Sequence, residues 1–202
     1  VAVSGLTFST PTVTTTSAVW SWNPNGNGGA TQYRLYESQD GATENDLTNI
    51  MGVSGVVSST FTRTLLSPNH HYTLRVQPFT ATGASAGSTS VGGFTLANAP
   101  AALTITSISS GTVSLSWNAN NNSNFTRYEV RRSTDGFSSD EVIAVPFSAD
   151  LKSTTVTVTG LAPFTTYFFH VRAANNVAPT TLSQPVNPAI PTAFTADVSP
   201  FT

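Results

Sequence analysis

Apolar and polar residues alternate in short runs along most of the chain. In "TSAVWSW" the side chains of Ala18, Trp20 and Trp22 fall on one face. In "GTVSLSW" Val113, Leu115 and Trp117 do the same, with Ser114 and Ser116 opposite. A period of two is the mark of a strand with one buried face. "TQYRLYES" sets Tyr33 and Leu35 inward, and "TRYEVRRS" sets Tyr128 and Val130 inward. "HYTLRVQ" and "TYFFHVRA" continue the pattern with Tyr72, Leu74 and Val76, and with Tyr167, Phe169 and Val171. Thr and Val, which suit a pleated half-buried surface, are abundant. "NPNGNGG", "QDG", "NANNNSN" and "STDG" supply turns between the runs. No stretch carries a convincing helical period. The pattern predicts an all-β chain of short strands in antiparallel sheets packed face to face.

The pattern occurs twice. At a constant spacing of 95 residues Trp22 matches Trp117, Tyr33 matches Tyr128, Leu66 matches Leu161, Pro68 matches Pro163 and Tyr72 matches Tyr167. The loops between these landmarks differ freely, as expected of two diverged copies of one domain. The sequence divides into residues 1–97, residues 98–188 and a tail of residues 189–202. Between the copies "LANAPAA" is short and contains Pro100, which favours an extended, rather stiff connection.

"LSPNHHYTLRV" and "LAPFTTYFFHVRAAN" share the motif Leu-x-Pro-x-x-x-Tyr. Together with the early Trp and the Tyr-x-Leu or Tyr-x-Val strand, it makes each copy resemble a fibronectin type III domain. The resemblance covers nearly the whole chain and implies two tandem immunoglobulin-like β-sandwiches. It implies that Tyr72 and Tyr167 form tyrosine corners, whose hydroxyls bond to backbone a few residues upstream. Trp22, Leu66, Trp117 and Leu161 would then be core. The family has no catalytic residues of its own, so none is implied here. Arg63 departs from the pattern, because the second copy has an inward Val158 at that place. An exposed strand end or a guanidinium reaching the rim would accommodate it. The first copy also lacks a clear Pro before its opening strand. No Arg-Gly-Asp occurs, so integrin binding through that tripeptide has no support.

Charge narrows the partners. Charged residues are 9% of the chain, against roughly 25% in an average soluble domain. Lys152 is the single lysine, and the net charge is −2. No basic stripe is present to neutralise phosphates or anionic lipid, which argues against nucleic acid and membrane surfaces. No apolar run approaches the roughly 20 residues that cross a membrane. Cysteine is absent, and domains of this size fold without disulfides. Low charge with many Thr, Ser, Asn and Gly points to an extracellular or cell-surface protein. The chain does not begin with Met and opens on no signal segment, so it reads as a mature product or a piece of something longer.

Candidate chemistry is sparse. His70 and His71 lie at the corner turn, and His170 alternates outward beside Phe169, so all three are expected at the solvated surface. None has the partners a catalytic or zinc-binding histidine requires. Glu37, Asp40, Glu44 and Asp46 gather in "ESQDGATEND". Calcium needs six to eight oxygens, and the spacing matches no EF-hand loop, so a solvated loop is expected. No pair of carboxylates suggests glycoside hydrolysis. No metal or cofactor is expected. Asn121-Asn122-Ser123 and Asn124-Phe125-Thr126 fit the N-glycosylation acceptor pattern at Asn121 and Asn124. Tyr36, Phe79 and Phe168 alternate outward. Phe168, whose counterpart is Thr73, is a candidate contact with a neighbouring copy.

The tail "PTAFTADV" resembles the first strand of a further repeat. Phe194-Thr195 aligns with Leu103-Thr104 and with Leu6-Thr7. Its partner strands would lie further along a longer chain or in the next molecule. Phe194 and Val198 are then candidate subunit contacts, because head-to-tail strand addition builds a filament. The expected function is a non-catalytic structural module, a spacer, adhesion element or filament subunit. Its partners would be neighbouring domains or copies of itself. Two alternatives stay open, an accessory region of a secreted polysaccharide-degrading enzyme and a carbohydrate- or protein-binding module. "NPNGNGG" and "NANNNSN" hold no Trp or Tyr, which argues against a sugar platform.

Overall fold

The computed structural model describes residues 1–9, 12–29, 31–52 and 55–174, and the backbone of residues 192–194. The chain forms two units, Val1–Leu96 and Ala97–Thr202. In the first, β1 (Ser4–Phe8), β2 (Ala18–Asn23) and β5 (Thr60–Arg63) form one antiparallel sheet. The facing sheet runs β4 (Asn45–Asp46), β3 (Gln32–Gln39), β6 (His71–Thr80), with β7 (Gly83–Ala84) and β8 (Val91–Phe94) both on β6. The second unit repeats the plan. Its sheets are β9 (Ala101–Ile108), β10 (Val113–Asn118) and β13 (Thr155–Val158), and β12 (Val142–Val145), β11 (Tyr128–Ser133), β14 (Thr166–Ala173) and β15 (Thr192–Phe194). Leu47–Ile50 and Phe147–Ala149 form single helical turns.

The alternation read from sequence becomes the packing. β2 and β10 have the same order of buried and half-buried positions, and β6 buries Tyr72, Leu74, Val76 and Pro78 at every second residue. Each unit has its own apolar cluster. One centres on Trp20, Trp22, Leu35, Leu74 and Val76, the other on Leu115, Trp117, Val130, Phe169 and Val171. The Trp22 and Tyr33 rings pack edge-to-face with centroids 5.3 Å apart, and Trp117 and Tyr128 do the same at 5.4 Å. Edge-to-face pairs place positive ring edges on negative faces.

Arg63 resolves the first departure from the repeat. Its Nε donates to Glu37 Oε2 at 3.1 Å, and Nη1 donates to the Thr64 carbonyl. An ion pair between β5 and β3 thus stands at the end of the first core, where the second unit has buried Val158.

The tail does not take the place expected of an opening strand. Thr192–Phe194 lies antiparallel on β14, with Thr166 opposite Phe194, Tyr167 opposite Ala193 and Phe168 opposite Thr192. In the first unit β8 meets β6 in the same register, with His71 opposite Phe94, Tyr72 opposite Gly93 and Thr73 opposite Gly92. Tyr72 and Tyr167 are equivalent, so β15 stands where β8 stands. The sequence agrees, since Phe94-Thr95 and Pro100 recur as Phe194-Thr195 and Pro200. The backbone groups on this edge of β14 therefore find a partner in the same chain, as exposed edge groups require. Val198 lies outside the described residues.

Candidate functional site

The motif residues that carry the repeat hold the fold at its corner. Tyr72 and Tyr167 are buried, and their hydroxyls accept hydrogen bonds from the Ser67 and Ala162 backbone N–H at 2.9 and 3.0 Å. Each bond reaches back five residues. Leu66 and Leu161 are buried beside them. All three tryptophans of the chain are buried, with relative exposures of 0% for Trp20 and 5% for Trp22 and Trp117. No indole is free to stack on a sugar. Trp20 Nε1 donates to the Val91 carbonyl, whereas Trp22 and Trp117 Nε1 are buried with no partner.

The two Asn-rich loops are clasps on the chain that enters each sandwich. Asn122 Oδ1 accepts from the Asn98 backbone N–H, and its Nδ2 donates to the Asn98 carbonyl, both at 2.8 Å. Asn120 Nδ2 donates to the Ala99 carbonyl. The first unit does the same with Asn27 and Asn25. The Val1 nitrogen donates to Asn27 Oδ1, Asn27 Nδ2 donates to the Val1 carbonyl, and Asn25 Nδ2 donates to the Ala2 carbonyl. An amide side chain is both donor and acceptor, so it pairs with a backbone unit as a neighbouring strand would. Asn25 and Asn120 sit at φ 54° and 56°, a left-handed conformation that Asn tolerates. The amides of Asn25, Asn27, Asn120 and Asn122 are thus engaged within the fold. Asn121 and Asn124 are exposed, while Ser123 and Thr126 are buried and bonded to each other.

The acidic stretch disperses. Glu37 pairs with Arg63, and Glu44 pairs with Arg75 and accepts from Ser90 Oγ. Asp40 takes His70 Nδ1 and the His71 N–H. Asp46 caps the Leu47–Ile50 turn through the Asn49 N–H and accepts from Thr48 Oγ1. The Arg75 hydrogen bond holds the Glu44 carboxyl below its ordinary range, and the Thr48 hydroxyl does so for Asp46. Four carboxylates with four separate sets of partners do not converge on a cation. Among the described residues no group of three His, Cys, Asp or Glu could hold a metal.

The outward sheet faces differ between the copies. On β3 and β6 the Arg75 guanidinium lies 4.1 Å from the centre of the Tyr36 ring, and Arg34 lies 4.8 Å from that of Phe79. Tyr36 and Phe79 are thus occupied by cations. On β11 and β14, Glu129 pairs with Arg131, and Glu141 pairs with both Arg131 and Arg172. His170 corrects its expected surface position. It is 9% exposed, and the Phe137 ring covers it at a centroid distance of 3.5 Å. Strand alternation placed His170 outward correctly, but a loop folds back over that face. Phe168 is half-buried on the same face, with its ring edge against Gly136.

Two sheets packed face to face, tyrosine corners five residues deep and a single core per unit define a tandem pair of immunoglobulin-like sandwiches. The fibronectin type III domain model matches residues 1–92 and again 98–189, and the chain belongs to that family. Among solved structures, a two-domain fibronectin type III segment of chicken tenascin has a TM-score of 0.60 at 18% identity. That match covers 96% of this chain and 99% of that one. The FN1–FN3 domains of chicken CNTN1 align with a TM-score of 0.37 at 15% identity, over 98% of this chain and 68% of that one. At 18% identity the tenascin segment shows a shared fold. No curated protein matches the chain.

Proposed function

We propose that the chain is a non-catalytic structural module of an extracellular or cell-surface protein, a spacer or adhesion element that works through its surfaces. One observation supports this above others. The carboxylates of the acidic stretch, and the amides of Asn25, Asn27, Asn120 and Asn122, are spent on internal bonds that hold strands and corners. A surface hollow of about 250 Å³ is lined by Val1, Asn27, Thr31 and the turn around Thr82. It holds no side-chain carboxylate, histidine or cysteine. Asn121 and Asn124 are the places for N-linked sugar, and Phe168 is the place for contact with a second copy.

A filament assembled by strand exchange is a second reading. β15 pairs over three residues and is separated from β14 by residues 175–191. The same pairing is available to the tail of another molecule, and heterologous donation that does not close produces fibres. Electron microscopy of the purified chain tests it. Ordered fibres that vanish when residues 191–202 are deleted support exchange. A monodisperse monomer rejects it and leaves the spacer reading. Hydrolysis of, or saturable binding to, a panel of polysaccharides would overturn the spacer reading itself.

A further inference from the structure

We propose that Phe137 and His170 form an acid-released latch on the outer face of the second sandwich. His170 is buried although it lies on the outward face of β14, and neither of its ring nitrogens has a hydrogen-bond partner. The Phe137 ring lies nearly parallel to the imidazole, 17° between planes. A neutral imidazole tolerates this site as an aromatic disc. An imidazolium is disfavoured there, because neither of its buried N–H groups has an acceptor within hydrogen-bond distance.

The loop is built to hold Phe137 down. Asp135 accepts from Ser133 Oγ, from Ser139 Oγ and from the backbone N–H of Ser138, Ser139 and Asp140. Those bonds, the Ser133 hydroxyl first, keep its carboxyl far below the ordinary range. Asp140 in turn accepts from Thr134 N–H and Oγ1. Phe137 itself sits at φ 65°, a left-handed conformation unfavourable to a bulky residue, and its N–H donates to Ser133 Oγ. The turn thus bears a local backbone cost while laying an apolar ring over a titratable one.

The surrounding charges set the direction. From β11 come Arg131, directly opposite His170, and Glu129, which pairs with Arg131. Arg172 comes from β14 itself, and Glu141 from the segment before β12. Glu141 lies 3.8 Å from His170 Nδ1 but already serves both arginines. Burial, above all, lowers the His170 pKa from its ordinary 6.5, and the arginines lower it further against the single opposing Glu141. With the folded value below the open one, the closed latch is favoured above pH 6.5. It weakens as pH falls from there toward the folded value.

Nuclear magnetic resonance of the whole chain tests this. His170 is expected to titrate below 6.5. Across that window the protection of amides 134–140, corrected for intrinsic exchange, is expected to fall about tenfold per pH unit. Phe137→Ala is expected to move the His170 midpoint toward 6.5, and His170→Gln to abolish the pH dependence of loop protection. A wild-type midpoint at or above 6.5, or loop protection that stays constant while His170 titrates, overturns the latch. That result needs no variant to fold.

Discussion

Replacing Trp20 with Ala is expected to destabilise the first sandwich by about 3–5 kcal/mol and to leave the second unchanged. Trp20 is fully buried, packs edge-on against Phe8 at 5.2 Å, and bonds through Nε1 to the Val91 carbonyl in β8. Truncation removes the largest apolar contact in that core, opens a cavity and strips β8 of a bond to the opposite sheet. Against a total domain stability of roughly 5–15 kcal/mol, such a loss is a large fraction. Denaturant unfolding read by far-ultraviolet circular dichroism should resolve two transitions in the variant, one displaced to low denaturant. Two transitions displaced together would mean that the sandwiches do not fold on separate cores.

Tyr72→Phe is expected to cost about 1–3 kcal/mol, although it leaves the ring in place. The hydroxyl is the acceptor for the Ser67 N–H, in a part-buried corner where water is a poor substitute. Tyr167→Phe should cost the second sandwich a similar amount, because Ala162 N–H uses that hydroxyl in the same way. Thermal melts of the two variants should each lower one transition. Equal melting of wild type and both variants would show that the corner is held by ring packing alone.

Much of the architecture was legible because it rests on local period and on a repeat. Alternation placed Trp20, Leu74 and Phe169 inward, and the 95-residue spacing put both corners in the same register. What escaped depends on contacts remote in sequence. Period alone puts His170 on the outer face, and only the turn made by Asp135 brings Phe137 down on it. The Asn clasps are side chains that pair with backbone more than 20 residues away, and their composition looks like any loop. The tail was misleading because Phe-Thr suits an opening strand and a closing strand alike. Its match to Phe94-Thr95 was the available signal, and strand pairing on β14 distinguishes the two. Leu65 and Phe164 show a different limit. Both are exposed and left-handed, at φ 59° and 54°, where the other copy carries Gly160 and Asn69. The backbone turn is kept by the fold while the residue suited to it is not.

Two sandwiches on separate cores make a direct mechanical prediction. Pulling single molecules from their two ends should give two separate unfolding events, one per sandwich. Each should release roughly 300 Å of chain, from about 90–100 residues at 3.3–3.6 Å each. Two events of similar length are the expected result. A single event of twice that length, or extension with no discrete event, would contradict a chain built as two self-contained fibronectin type III sandwiches.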